Sequence, residues 1–141
     1  MSIPGQLLSF IRQYRIYLDK ICRLEGITPQ QAFIILAIPF DGIRIHSLAL
    51  NMGLHISTMT RNIKKMEKLK LLNRTLDLLD KRSSIISLSK YGRSIKISIE
   101  TNHEKNINKI IGLCDIKNQL EFLNSIESLS WEMKKNNMIN E

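Results

Sequence analysis

Residues 42–70 read GIRIHSLALNMGLHISTMTRNIKKMEKLK. Ile43 and Ile45 alternate briefly, enough for one short strand. Residues 47–52 have the length of a short helix, Gly53 supplies a tight turn, and a second helix is expected from about Ile56 to Leu69. On that second helix Met59, Ile63 and Met66 share one face, while Thr58, Arg61, Asn62 and Lys65 share the other. A short helix, a glycine turn and a basic amphipathic helix form a helix-turn-helix in outline.

Downstream, LLNRTL (71–76) and SSIISLS (83–89) read as the two arms of a hairpin around DLLDKR (77–82). Serines and aliphatics alternate in the second arm, placing Ile86 and Leu88 on one face and Ile85 on the other. Asp80 is expected to set the turn and to pair with Arg82, holding its planar guanidinium in one orientation. Leu78 and Leu79 fit this turn poorly. Leucines at an exposed tip usually need cover, from the hairpin itself, a sugar or another subunit.

Upstream, Leu7, Ile11, Tyr14, Leu18 and Ile21 recur at helical spacing, and Phe10, Tyr17 and Leu24 widen that stripe beyond a single core-facing seam. In ITPQQAFIILAIP (27–39) Thr28 can cap, Pro29 suits the first helical position, and Gln31 stands where a capping box needs its reciprocal partner. That helix is apolar nearly all round, which makes it central to the core, and Pro39 ends it. Beyond Gly92, SIKISIE (94–100) alternates as a strand would. Ile95, Ile99, Ile107, Ile110 and Cys114 nevertheless fit one helical stripe with His103 on the same face, so helix is the expectation. A last helix carries Phe122, Ile126, Leu129 and Met133. The fold class is mostly α.

The net charge is +8, from 21 basic and 13 acidic residues in a chain of 141. Eleven of the basic residues lie between Ile43 and Arg93, against only Glu67, Asp77 and Asp80, so this third of the chain holds the whole excess. A solvated face normally mixes signs, and segregation of this kind points to a polyanionic partner. Nucleic acid fits better than a membrane surface, because no basic stretch has the bulky aromatic face of an interfacial helix. No apolar run approaches the ~20 residues that span a bilayer. Without a signal-peptide pattern at the start, a cytoplasmic location is expected. Cys22 and Cys114 stand far apart, without the spacing of a disulfide framework or a zinc site. His46, His55 and His103 form no metal-ligand pair, and no phosphate loop or nucleophile elbow is present. No enzyme, cofactor or metal is expected. His46 and His55 border the basic segment and suit a phosphate or polar contact.

A helix ~10–12 Å across fits the major groove of B-DNA, where base edges are distinct. On the polar face Arg61 can pair with guanine and Asn62 with adenine, and Lys65 lies beside them. Ser57 and Thr58 can bond bases or, at the helix N-terminus, a phosphate. Arg74, Lys81 and Arg82 lie on the hairpin, whose tip can reach an adjacent minor groove.

These residues resemble the MarR family of winged helix-turn-helix transcription regulators. ITPQQ is similar to that family's Leu-Thr-x-x-Gln start of its second helix. Leu48-Ala49, Gly53-Leu54, Ser57-Thr58-Met59-Thr60-Arg61 and Met66-Glu67 follow its central pattern. Arg74, Asp80-x-Arg82 and Leu88-Ser89-x-x-Gly92 match its arginine, wing Asp-x-Arg and Leu-Thr-x-x-Gly. The resemblance implies a single MarR-like domain over 1–141, with the winged-helix DNA-binding region at 27–93 and dimerisation helices at 1–25 and 94–141. It implies a homodimer that binds near-palindromic double-stranded DNA, and a small, frequently aromatic effector whose binding releases the DNA. Lys70 stands where the family usually has a glycine at the end of the recognition helix, so an end without a left-handed glycine is expected. Tyr14, Tyr17 and Phe33 are an apolar set that suits either a ligand pocket or the core. Two other readings use the same charges: an effector-independent architectural DNA binder, marked by weak base preference and steep salt dependence, and a winged-helix protein-interaction module.

Overall fold

Three helices of the chain end in the same backbone device, and two of those ends shape the helix-turn-helix and its wing. In a computed structural model describing residues 2–139, the order is α1 (Ile3–Leu24), α2 (Pro29–Ala37), β1 (Ile43–Arg44), α3 (Ile45–Asn51), α4 (Ile56–Lys68), β2 (Leu72–Leu76), β3 (Ser84–Leu88), α5 (Lys90–Leu113) and α6 (Gln119–Ile139). The chain forms two compact units, Met1–Glu104 and Lys105–Glu141, with the boundary inside α5.

After α1, Gly26 takes φ +69°, its N–H bonds Arg23 O at 3.1 Å, and Ile27 N–H bonds Cys22 O at 3.1 Å. After α3 the same double bond forms around Gly53 at φ +61°, from Gly53 to Leu50 O at 3.1 Å and from Leu54 to Ala49 O at 2.9 Å. Both are Schellman ends, which satisfy the last carbonyls of a helix. After α4 the pattern repeats with Lys70 at φ +58°, bonding Glu67 O at 2.9 Å while Leu71 bonds Met66 O at 3.0 Å. No glycine stands here, but the left-handed conformation is kept by a residue with a Cβ, which costs free energy. Tertiary structure holds it there, since Leu71 and Leu72 are buried immediately afterwards.

The start of α2 is as the sequence predicts. Thr28 Oγ1 accepts from Gln31 N at 3.2 Å and Gln31 Oε1 accepts from Thr28 N at 2.9 Å, which closes a capping box. Ile34, Ile35 and Ile38 are fully buried. They pack in a core with Leu48 of α3, with Met59, Ile63 and Met66 of α4, and with Ile86 of β3. The sheet is antiparallel in the order β1-β3-β2, with Leu72 opposite Leu88, Arg74 opposite Ile86 and Ile43 opposite Ile86 on the other side. Ile86 and Leu88 are buried and Ile85 is not, as alternation requires.

Residues 94–100 are helical. A strand would put Ile95, Ile97 and Ile99 on one face; here Ile95 and Ile99 are buried one turn apart while Ile97 is exposed. The entry to this helix explains the Leu-Ser-x-x-Gly spacing. Ser89 Oγ accepts from Gly92 N at 2.9 Å, as a cap should, and donates towards Lys70 O at 2.6 Å and Leu71 O at 3.1 Å. Gly92 packs so closely that a Cβ on it would lie 2.0 Å from Leu71 O. End of α4, base of the hairpin and start of α5 are thereby fixed to one another.

The wide stripe of α1 is only partly used within its unit. Ile21 and Cys22 are buried, but Phe10, Ile11 and Leu24 stay exposed. Tyr14 is half-buried, stacks with Phe10, and its hydroxyl lies 2.6 Å from His103 Nε2. In the second unit Phe122, Ile126, Leu129 and Met133 of α6 are exposed. Among the described residues no helix is long and apolar enough to cross a membrane.

Candidate nucleic-acid interface

Burial of Met59, Ile63 and Met66 fixes the rotation of α4 about its axis, so its opposite face has one orientation only. Ser57, Arg61 and Lys65 are exposed there, and Thr58 and Asn62 are half-exposed. Lys64 and Lys68 are exposed as well. With Arg61 and Lys65 they follow the spacing i, i+3, i+4, i+7, a continuous cationic stripe. The sequence pattern counts Lys64 and Lys68 only towards the charge; their helical spacing is the signal that places them on this face. His46 is exposed on α3, and His55, at the N-cap position of α4, is exposed without a side-chain capping bond.

The hairpin tip is built on two carboxylates. Asp77, 5% exposed, accepts from Leu79 N at 2.9 Å through Oδ1 and from Arg44 Nε at 2.7 Å through Oδ2. The Leu79 N–H and the Arg44 guanidinium together hold its carboxyl below the usual carboxylate range. This pair ties the base of the wing to the start of α3. Sequence alone marks neither residue as a site; the signal it carries is an acid at a strand end two residues before an apolar one, the spacing of an Asx turn. Asp80 accepts from Arg82 N at 3.0 Å, and Asp80 O accepts from Ser83 N at 2.9 Å.

The expected Asp80–Arg82 guanidinium pair is therefore corrected. The ion pairs among the described residues are Asp19–Arg23, Arg44–Asp77, Glu67–Arg74 and Glu132–Lys135. Asp80 orients the wing through the backbone amide of Arg82, because the short carboxylate is already engaged by the turn two residues on. Lys81 and Arg82 are exposed at the tip. Arg74 is set apart from them. It is part-buried on β2, with Nε 4.0 Å from Glu67 Oε1 of α4 and with Nε and Nη2 buried without a hydrogen-bond partner.

Leu78 and Leu79 do not fold back on the hairpin; they are 94% and 90% exposed. Phe33 is exposed on α2, while Tyr17 and Tyr14 meet the His103 ring, each at 6.0 Å between centroids. Cys22 is buried and Cys114 exposed, and burial followed by the Asp19 carboxylate pushes the Cys22 thiol up. Among the described residues no group of three or more His, Cys, Asp or Glu is placed to hold a metal ion.

Helix-turn-helix, three-stranded sheet and a basic hairpin packed behind the second helix define a winged-helix protein. The MarR family model matches residues 27–84, most of the winged-helix region. Among solved structures, Streptococcus pneumoniae FabT in complex with DNA is similar with a TM-score of 0.84 at 17% identity, covering 94% of this chain and 96% of that one. AbsC, a MarR family transcriptional regulator from Streptomyces coelicolor, gives 0.77 at 18% identity, covering 96% and 97%. The S. aureus MepR–DNA complex gives 0.78 at 14% identity, covering 94% and 99%. These likenesses extend the shared fold over nearly the whole chain. No curated protein matches it in sequence.

Proposed function

We propose that this chain is a transcription regulator that binds double-stranded DNA sequence-specifically, as a homodimer on a near-palindromic site, and that it is a binder and not a catalyst. The observation that carries this reading is the fixed outward face of α4, where Ser57, Arg61, Lys64 and Lys65 are exposed opposite a buried Met59–Ile63–Met66 seam. A rigid cationic helix of this width suits the major groove. In that pose Arg61 reads guanine, Asn62 adenine, and Ser57, Thr58 and Lys65 take neighbouring base edges or phosphates. Lys81 and Arg82, carried by the wing, reach the adjacent minor groove. Arg74 acts behind them as a support.

The apolar residues left uncovered on α1 and, in the other unit, on α6 support a homodimer, since monomers rarely leave so many exposed. Two copies would present their α4 helices to half-sites about one helical turn, ~34 Å, apart. The resemblance adds a small aromatic effector as a releasing ligand. Release of that kind operates only if the effector binds the DNA-bound and free shapes with different affinity. DNA complexes of FabT and MepR, which share the fold, favour the duplex over an acidic protein as partner.

Selection of bound duplexes from a random pool tests the proposal. A two-fold symmetric motif with half-sites one turn apart is expected. Weak preference with steep salt dependence would instead make the protein architectural, and competition by acidic peptide but not by duplex would make it a protein-interaction module.

A further inference from the structure

The wing tip holds two leucines out in solvent and does so by construction. Asp77 N–H bonds Ser83 O at 3.2 Å, closing the hairpin, and Ser83 N–H bonds Asp80 O at 2.9 Å. Asp77 and Asp80 each accept a backbone N–H two residues on, at 2.9 and 3.0 Å, and Arg44 holds Asp77 from the side of α3. Between these two carboxylates Leu78 and Leu79 stand 94% and 90% exposed. A loop that served only as a turn would carry polar residues here.

The surroundings select an occupant. Asp77's charge is answered by Arg44, and Lys81 and Arg82, next along the chain, are exposed and outside the ion pairs found among the described residues. An apolar pair followed by two unanswered cations complements a surface with apolar, stacked interiors and anionic rims. The minor groove of duplex DNA is such a surface, and leucine is among the side chains that wedge between base steps there. A lipid surface fits less well, because residues 77–83 contain no aromatic side chain to sit at the headgroup level.

We propose that Leu78 and Leu79 form an apolar wedge that enters the minor groove beside the α4 site and partly unstacks a flexible pyrimidine–purine step. Lys81 and Arg82 enter the same groove beside the wedge and meet its anionic rim. The wing thereby reads how easily the flank deforms, in addition to its charge. This rests on the duplex-DNA reading given above.

The test compares the full-length protein with L78S/L79S and with L78M/L79M, each carried through selection from a random duplex pool. The recovered duplex is then remade with 2-aminopurine at successive flanking positions, whose fluorescence rises on unstacking. Both leucines are exposed, so neither variant removes packing from the core. The wild type and L78M/L79M should enrich TA or CA steps in the flanks and raise the fluorescence at one of them. L78S/L79S should recover the same central motif, lose the flank preference and the signal, and bind about tenfold more weakly. Unchanged flanks and fluorescence in L78S/L79S, with binding intact, overturn the wedge. Loss of binding to anionic vesicles, or a fall in oligomeric mass, with DNA behaviour unchanged, also overturns it and assigns the tip to lipid or to a second copy. If the wild type enriches no duplex, the DNA reading itself fails, and the wedge falls with it.

Discussion

Replacing Lys70 by glycine should make the protein more stable than replacing it by alanine. Lys70 holds φ +58° at the end of α4, the position that Gly26 and Gly53 occupy after α1 and α3. A left-handed residue with a Cβ costs about 1–2 kcal/mol. Glycine's greater freedom in the unfolded chain takes back about 0.4–1 kcal/mol. The difference leaves a net gain of about 0.8 kcal/mol at the midpoints of those ranges, or about 2–3 °C in Tm for a chain of this size. Loss of the lysine charge from the C-terminal end of a helix opposes this by up to about 1 kcal/mol, which K70A isolates. K70A removes the same charge and keeps the Cβ, so the K70G–K70A difference reads the left-handed cost less glycine's unfolded-state freedom, free of the charge effect. The assay is thermal and urea unfolding followed by circular dichroism, with all three proteins at one concentration, so that any association shifts them equally. K70G no more stable than K70A would falsify the strain argument and imply that the backbone at residue 70 relaxes out of the left-handed region at little cost.

Four further outcomes are expected. Arg61→Ala should cost about 1–3 kcal/mol of DNA affinity and relax preference at one base position; an equal loss across all sequences in competition binding would make Arg61 a phosphate contact instead. Gly92→Ala should destabilise by about 3 kcal/mol, since its Cβ would meet backbone oxygen at 2.0 Å, and a urea midpoint within error of wild type would show that α5 slides freely. Asp77→Asn should lower stability at neutral pH. Because the folded carboxyl titrates below the ordinary value near ~3.9, the gap from wild type should persist above that pH and close as pH falls through the folded value. A gap that stays constant into acid would detach Asp77's charge from the wing. Alkylation of the native protein should label Cys114 and spare Cys22, with both labelled in urea; fast native labelling of Cys22 would contradict its burial.

Most of the fold is legible in order along the chain, because its signals are local. Thr28 and Gln31 close their box within one helical turn, Gly53 makes its turn wherever it stands, and the 3.6-residue spacing of Met59, Ile63 and Met66 puts them on one side of α4. The outward set of Ser57, Thr58, Arg61, Asn62 and Lys65 follows from the same spacing, so the candidate interface is readable as a face from the sequence alone.

What only tertiary structure decided involves partners far apart in sequence or a choice between local conformations of similar energy. Residues 94–100 alternate as a strand but form helix, because Ile95 and Ile99 find the core and Gly92 seats against Leu71 O. Arg44 and Asp77 are 33 residues apart and meet only once β1 joins β3, so their bond is invisible to any local pattern. Asp80 engages the Arg82 amide and not its guanidinium, a choice made by turn geometry. Lys70 keeps a glycine's conformation because the buried Leu71 and Leu72 leave the chain no other way into β2. Sequence by itself determined which residues are basic, which are apolar and how they repeat. Packing determined which way each of those faces points, and it left Leu78 and Leu79 pointing outward.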